Sequence, residues 1–269
     1  MRLLDFATYF TPDDTPSDLL GTELDDEGLR RAYAYPTALT RPWVRVNFVS
    51  SIDGAVTADG VSAGLGTPSD TRVFGVLRAL ADVVVVGAGT VRSEDYGGVR
   101  LSADDQARRS AAGQPPVPRI VVVTASASLD PTSRLFTDTA VPPTVVTSAS
   151  APLDARRRLE TAGAHVVAVD GDVSTAAVVA ELHRAGEHRV LLEGGPGLFG
   201  TFLGDDAVDE ICLTVSPVAV AGSAGRISHS PAASIRAMSR AHVLAEDDGT
   251  LLTRWVRTPE KHTGQNEMS

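Results

Sequence analysis

The sequence predicts an α/β domain: a mostly parallel central sheet with helices on both faces, closed by a C-terminal antiparallel hairpin. Three features of the chain carry this. Short runs of branched apolar residues alternate with stretches of helical spacing, as strands covered on both faces do. Two of those runs stop at glycine turns: Gly87-Ala88-Gly89-Thr90 follows Asp82-Val83-Val84-Val85-Val86, and Glu193-Gly194-Gly195-Pro196-Gly197-Leu198-Phe199-Gly200 follows Val190-Leu191-Leu192. Near the C-terminus, segments 241–245 and 251–257 are separated only by Glu246-Asp247-Asp248-Gly249, too short for a crossover helix.

Residues 1–40 are acidic and interrupted by Pro12, Pro16 and Pro36, with one short helical piece at 29–33. They read as an extension wrapped on the domain, without a core of its own. The domain itself spans 41–257, and the polar residues 258–269 read as a disordered tail. The first strand, 43–49, runs into Ser50-Ser51-Ile52-Asp53-Gly54, where Asp-Gly marks a turn. Thr67-Pro68-Ser69-Asp70 signals a helix start, with Val73, Phe74, Val76, Leu77 and Leu80 at core spacing behind it. Beyond the first glycine turn, the polar segment 102–118, with Pro115-Pro116, reads as a surface loop. Strands at 119–124, 144–147, 165–169 and 189–192 then alternate with helices at 153–162 and 175–185. A further strand lies within 210–220, ahead of the hairpin.

Composition narrows the function. A chain of 269 residues suits one large α/β domain or two small ones. The net charge of −10 argues against nucleic acid as partner, since the densest basic run, Arg156-Arg157-Arg158, sits on a surface helix. No segment approaches a membrane span and the N-terminus lacks a signal-peptide core, so a cytoplasmic location is expected. Cys212 is the single cysteine, placed in a strand as a small core residue, and the six histidines show no metal-ligand spacing. The single lysine, Lys261, lies in the tail. A buried cation gripping a substrate is therefore an arginine, and a Schiff-base lysine is excluded.

A glycine turn between a strand and a helix lets backbone N–H groups approach an anion, though tight connections need glycine in any case. The run 195–200 is a literal G-x-G-x-x-G. A Rossmann unit is nonetheless disfavoured, because the run lies late, a short helix follows it, and Asp209 and Glu210 precede the next strand instead of ending it.

Taken in order, Val46-Asn47-Phe48-Val49-Ser50-Ser51-Ile52-Asp53-Gly54, the Gly-Ala-Gly-Thr turn and Glu193-Gly194-Gly195-Pro196 resemble the riboflavin-pathway reductases. This is the family of the RibD C-terminal domain, which has the dihydrofolate reductase fold. The resemblance covers roughly residues 43–257 and implies NADPH-dependent reduction of a phosphoribosylamino-pyrimidine to its ribitylamino form. It places Gly87, Gly89, Thr90, Gly194, Gly195, Pro196, Gly197, Leu198 and Phe199 at the cofactor pyrophosphate, with Thr124, Ser126 and Arg92 near the adenosine 2′-phosphate. On the substrate side it implies Asn47, Ser50, Asp53, Ser62, Arg78, Arg100 and Glu193. Asp70 is the candidate ring anchor, with its ionised form favoured by the helix N-terminus, and Glu193 is the alternative acid. The family's zinc deaminase motif is absent. Where the family often carries Asp-Asp-Pro, this chain has Glu94-Asp95-Tyr96-Gly97-Gly98, which bears on the phosphoribosyl contacts. A dihydrofolate or pteridine reductase and a non-catalytic NADPH-binding protein are the competing readings. A homodimer is expected from the family habit and from apolar strands 211–215 and 251–256, read as lying close to a sheet edge.

Overall fold

The computed structural model describes residues 1–6, 20–58 and 60–258; Pro12, Pro16 and the expected tail from residue 259 onward lie outside them. Among the described residues one sheet contains β1 (Arg2–Phe6), β2 (Trp43–Ser51), β3 (Val83–Gly87), β4 (Arg119–Val123), β5 (Thr144–Ser148), β6 (His165–Val169), β7 (Arg189–Leu192), β8 (Glu210–Ser216), β9 (Met238–Ala245) and β10 (Leu251–Arg257). Their order is β1-β9-β10-β8-β2-β7-β3-β4-β5-β6. The stretch from β8 to β6 is parallel throughout, and β10, β9 and β1 extend it with antiparallel pairs. The expected parallel sheet with a terminal hairpin is thus present.

β3 shows why the sheet sits in the middle. Val84 and Val86 point into one core cluster, Val83 and Val85 into the other, and all four are fully buried. Burial on this scale stabilises by roughly 2 kcal/mol per valine relative to exposure. The first cluster is capped by α1 (Asp26–Ala32), α2 (Pro68–Leu80), α3 (Ala88–Ser93) and α6 (Leu153–Thr161), the second by α7 (Thr175–Arg184) and α8 (Pro196–Gly204). α2 begins as its sequence signal indicates: the Thr67 hydroxyl accepts from the Asp70 N–H at 3.2 Å, and Pro68 occupies the first turn.

Two expectations, for the 102–118 segment and for the sheet edge, are corrected, and the N-terminal extension is seen to pack into the shared core. The segment read as a surface loop contains α4 (Ala103–Ala111), capped by Ser102, with acids in its first turn and arginines in its last. Its scarcity of apolar residues concealed it; Arg109, 2% exposed, makes the inward contact instead, donating to the carbonyls of Ala79 and Ala81 at the end of α2. The N-terminal stretch supplies β1, paired with β9, and buries Met1, Leu3, Leu24, Leu29 and Tyr33 in the first core cluster. β8 and β10 are interior strands, since β9 and β1 lie outside them, and the sheet edges are β1 and β6.

The antiparallel half is fastened by buried charge. Glu210, fully buried at the start of β8, accepts from Arg45 of β2 at 2.6 Å and Arg254 of β10 at 2.8 Å. The arginines also donate to the carbonyls of Tyr33, Ala32 and Ala34, pinning the end of α1 to the sheet. Burial alone raises the Glu210 carboxyl, yet Arg254 and Arg45 hold it down at about 2. Beside this cluster, burial and then Arg254 push His242 down to about 3, and among the described residues neither ring nitrogen has a hydrogen-bond partner.

Both groups tie stability to pH with the same sign. Below pH 6.5 the unfolded chain protonates His242 while the fold does not, so stability falls with falling pH down to about 3. Glu210 adds a further loss between 4.5 and about 2. Urea unfolding midpoints are expected to fall from pH 7 to pH 4.5, with roughly 2 kcal/mol of the loss due to His242. His242→Phe, which can keep the edge-on contact with Tyr33, should flatten that segment; an unchanged slope contradicts the assignment.

Candidate active site

β3 and β7 are hydrogen-bonded neighbours, so both glycine turns emerge side by side at the same end of the sheet. The Gly87 N–H donates to the Gly194 carbonyl at 2.7 Å. A Cβ on Gly195 would lie 2.7 Å from Thr90 Oγ1, and one on Gly87 would lie 3.5 Å from the Gly195 nitrogen. Gly194 has φ +114°, a conformation L side chains rarely adopt, and faces the Phe48 ring. Glycine is required at Gly195 by the Thr90 side chain and at Gly194 by its backbone conformation against Phe48.

This leaves a cradle for an anion. Gly89 and Gly197 border open space, and no side chain caps α8, whose N-cap is Gly195. The first-turn N–H groups at Gly197 and Leu198 therefore lack intrahelical partners. Phe199 does not join them: its N–H bonds to Gly195 O and its ring stacks on Phe48 at 5.5 Å, in the core. The Leu198 side chain also packs against that core, so only its backbone is available.

Next to the cradle lies a cleft of about 510 Å³, walled by Asn47 and Phe48 of β2, Asp70 and Arg78 of α2, Tyr96, and Glu193 at the end of β7. Thr90 and Gly195 line it too, so cradle and cleft are continuous. Arg78 grips Glu193 with a two-pronged contact, Nε to Oε1 and Nη2 to Oε2, both at 2.7 Å. The Glu193 side chain is only 3% exposed and that of Arg78 17%. Tyr96 donates its hydroxyl proton to Glu193 Oε2 and accepts from Arg78 Nη2 at 3.0 Å. Burial, followed by the Glu193 charge, raises the Tyr96 phenol well above its ordinary value, so it stays protonated. The Phe74 ring lies under the guanidinium, 4.1 Å from Cζ.

Asp70 faces the same cleft, and its carboxyl shifts in the direction opposite to the expectation. Burial raises its carboxyl, against a smaller opposing hydrogen bond with Thr214. Ser62 also lines the cleft, its N–H donating to Glu94 at 3.2 Å.

Three substrate-side candidates are not brought in. Asp53 accepts from the Ser51 hydroxyl and from the N–H groups of Ala221 and Val220, which hold its carboxyl at about 2 and clip the segment after β8 to the turn. Ser50 is buried within β2 opposite Val215. Arg100 is exposed and pairs with Asp138 away from the cleft walls. On the cofactor side, Arg92 donates to Ser128 O at 3.0 Å, which brings it beside the segment carrying Thr124 and Ser126 at the end of β4. Sequence reading missed Phe74 and Tyr96 as cleft residues. Asp70, Phe74 and Arg78 are spaced i, i+4, i+8 on α2, a shared face that marks Phe74 as a cleft neighbour. Tyr96 has no such local signal.

The contact between turns yields a direct test. Gly195→Ala should cost about 1–3 kcal/mol of stability through overpacking against Thr90. Thr90→Ala in the same chain should recover most of the loss in urea titrations, because the clashing atom is the Thr90 hydroxyl oxygen.

Comparison with known proteins agrees with this architecture. The family model described as RibD C-terminal domain matches residues 42–252. A 2,5-diamino-6-ribosylamino-4(3H)-pyrimidinone 5′-phosphate reductase of Archaeoglobus fulgidus is 31% identical over 185 residues, covering 68% of this chain and 83% of the relative. The riboflavin biosynthesis protein RibD of Mycobacterium tuberculosis is 29% identical over 182 residues, 67% of this chain but 44% of that longer protein. In structure, a pyrimidine reductase-like protein of Corynebacterium diphtheriae superposes with a TM-score of 0.77 at 24% identity, over 86% of this chain and 98% of that one. Facing glycine turns, a parallel sheet closed by a hairpin, and these matches lead to one assignment: the chain belongs to the RibD C-terminal domain family, the pyrimidine reductases of riboflavin biosynthesis.

Proposed function

We propose that this chain binds NADPH across the two glycine turns and reduces a phosphoribosylamino-pyrimidine, with 5-amino-6-(5-phosphoribosylamino)uracil as the leading substrate. The observation that carries the reading is the continuity of an uncapped backbone cradle with a cleft holding Asp70 and the Arg78–Glu193 pair. The residues fit a dinucleotide: N–H groups at Gly197 and Leu198 suit the pyrophosphate, and Arg92 with the Thr124 and Ser126 hydroxyls suits a 2′-phosphate. When bound, the nicotinamide supplies a hydride.

The protein's share is to orient the ring and deliver a proton. Arg78 and Glu193 present fixed donors and acceptors to the pyrimidine edge. Asp70, its carboxyl raised by burial, keeps a proton to higher pH than an exposed aspartate and can pass it to the heteroatom beside the reduced carbon, directly or through water. Similarity to a named reductase over 83% of that relative supports this reading over a non-catalytic cofactor binder. A homodimer remains a proposal that rests on family resemblance; a monomeric mass by light scattering at micromolar concentration contradicts it.

Loss of reduced-nicotinamide absorbance, measured with the phosphoribosylamino-pyrimidine and separately with dihydrofolate, decides between reductase readings. Turnover is expected only with the former. Fluorescence titration should show NADPH binding much more tightly than NADH, and equal affinities overturn the 2′-phosphate site. Asp70→Asn should lower turnover by about 10²-fold while leaving NADPH affinity within a few-fold. Near-normal turnover of the folded variant removes Asp70 from the mechanism.

A further inference from the structure

Tyr96 lies where this chain departs from the Asp-Asp-Pro pattern, and the structure gives the departure a purpose. The backbone on both sides of Tyr96 is pinned. Before it, α3 closes with Glu94 N–H on Thr90 O at 3.0 Å and Tyr96 N–H on Val91 O at 3.3 Å, and Asp95 turns the chain through φ +45°. After it, Gly98 donates to Asp138 O at 2.9 Å and sits where a Cβ would come within 2.6 Å of Thr139 Cα. Gly98 thus lets the backbone after Tyr96 press against the chain after α5 (Arg134–Thr137), while Gly97 faces the Arg134 side chain. The Tyr96 ring packs against the first core cluster.

The hydroxyl at the end of this pinned side chain meets the Arg78–Glu193 pair. Arg78 uses Nε and one edge of Nη2 on Glu193, and its remaining Nη2 direction points to Tyr96. Among the described residues, Nη1 has no hydrogen-bond partner, although Arg78 lines the cleft. Glu193 is buried, whereas the partly exposed Arg78 can shift against it; a third contact to a fixed hydroxyl restrains that shift.

We infer that Tyr96 is a positioning residue that sets substrate preference, holding Arg78 against Glu193 so that Nη1 is left to donate to an acceptor on the substrate ring, such as a pyrimidinone carbonyl. This rests on the reductase reading for its substrate, but not for the positioning itself. The Tyr96 hydroxyl donates a hydrogen bond to Glu193 and accepts one from Arg78, so it acts through that pair and does not touch the reacting atoms.

Two measurements on the full chain test this. In the absence of substrate, the Arg78 Nε–Hε resonance, identified by its loss in Arg78→Lys, should be sharp in the wild type and broadened in Tyr96→Phe; equal line widths overturn the positioning role. That arm needs no turnover, so it separates failure of this inference from failure of the reductase assignment. In steady state, Tyr96→Phe should raise KM for the pyrimidine about tenfold, the scale of one hydrogen bond to a charged group, while kcat and NADPH affinity stay within about threefold. Unchanged KM, or kcat, NADPH affinity and thermal midpoint falling together, overturns it. In the Arg78→Lys background the Tyr96→Phe effect should largely vanish, and independent multiplication of the two effects also counts against the inference.

Discussion

The site depends on the contact between two backbones at the ends of β3 and β7, where the Gly87 N–H meets the Gly194 carbonyl. Adjacent parallel strands each have to turn into a helix, and here both do so at one point. Any side chain at Gly195 would strike the Thr90 hydroxyl, and one at Gly194 would have to adopt a left-handed backbone against Phe48. Glycine at these positions brings the strand ends together, leaves the start of α8 uncapped, and opens the cradle directly into the cleft. Function at this end of the sheet is a consequence of close packing as much as of any single side chain.

Charge is the second organising constraint. With arginine as nearly its only long cation, the chain uses that side chain for unlike tasks, and the planar fork suits each of them. Arg45 and Arg254 clamp Glu210 and hold the end of α1, so the antiparallel half is fastened where a hydrophobic contact could not satisfy the carbonyls of residues 32–34. Arg109 closes the end of α2. Arg78 alone among these faces the cleft, and the difference is exposure: its partner Glu193 is as buried as a core residue, yet the guanidinium itself keeps one edge open. The buried arginines Arg45, Arg109 and Arg254 all bind the protein's own backbone.

Much of the architecture was legible because local periodicity and global placement agree. The valine runs read as doubly covered strands and are so; Thr67-Pro68 reads as a helix start and caps one; the acidic glycine turn joins β9 to β10. What escaped were elements stabilised by non-local or polar contacts. α4 lacks an apolar face because Arg109 replaces it, and β1 exists because β9 offers it an edge. Those strand runs that looked close to an edge proved interior for the same reason: nothing local announces how many strands pair beyond them.

The sequence by itself determined the α/β class and the position of both glycine turns, because glycine runs and strand periods are short-range properties; the grouping of Asp70, Arg78 and Glu193 came from the family resemblance, and the structure lines one cleft with them. Only the tertiary structure decided that Asp53 fastens a loop, that Arg100 turns to Asp138, that burial raises the Asp70 carboxyl, and that Tyr96 completes the Arg78–Glu193 pair. Each of those outcomes depends on which distant group a side chain meets and how much water it loses. Residue type and spacing carry neither quantity.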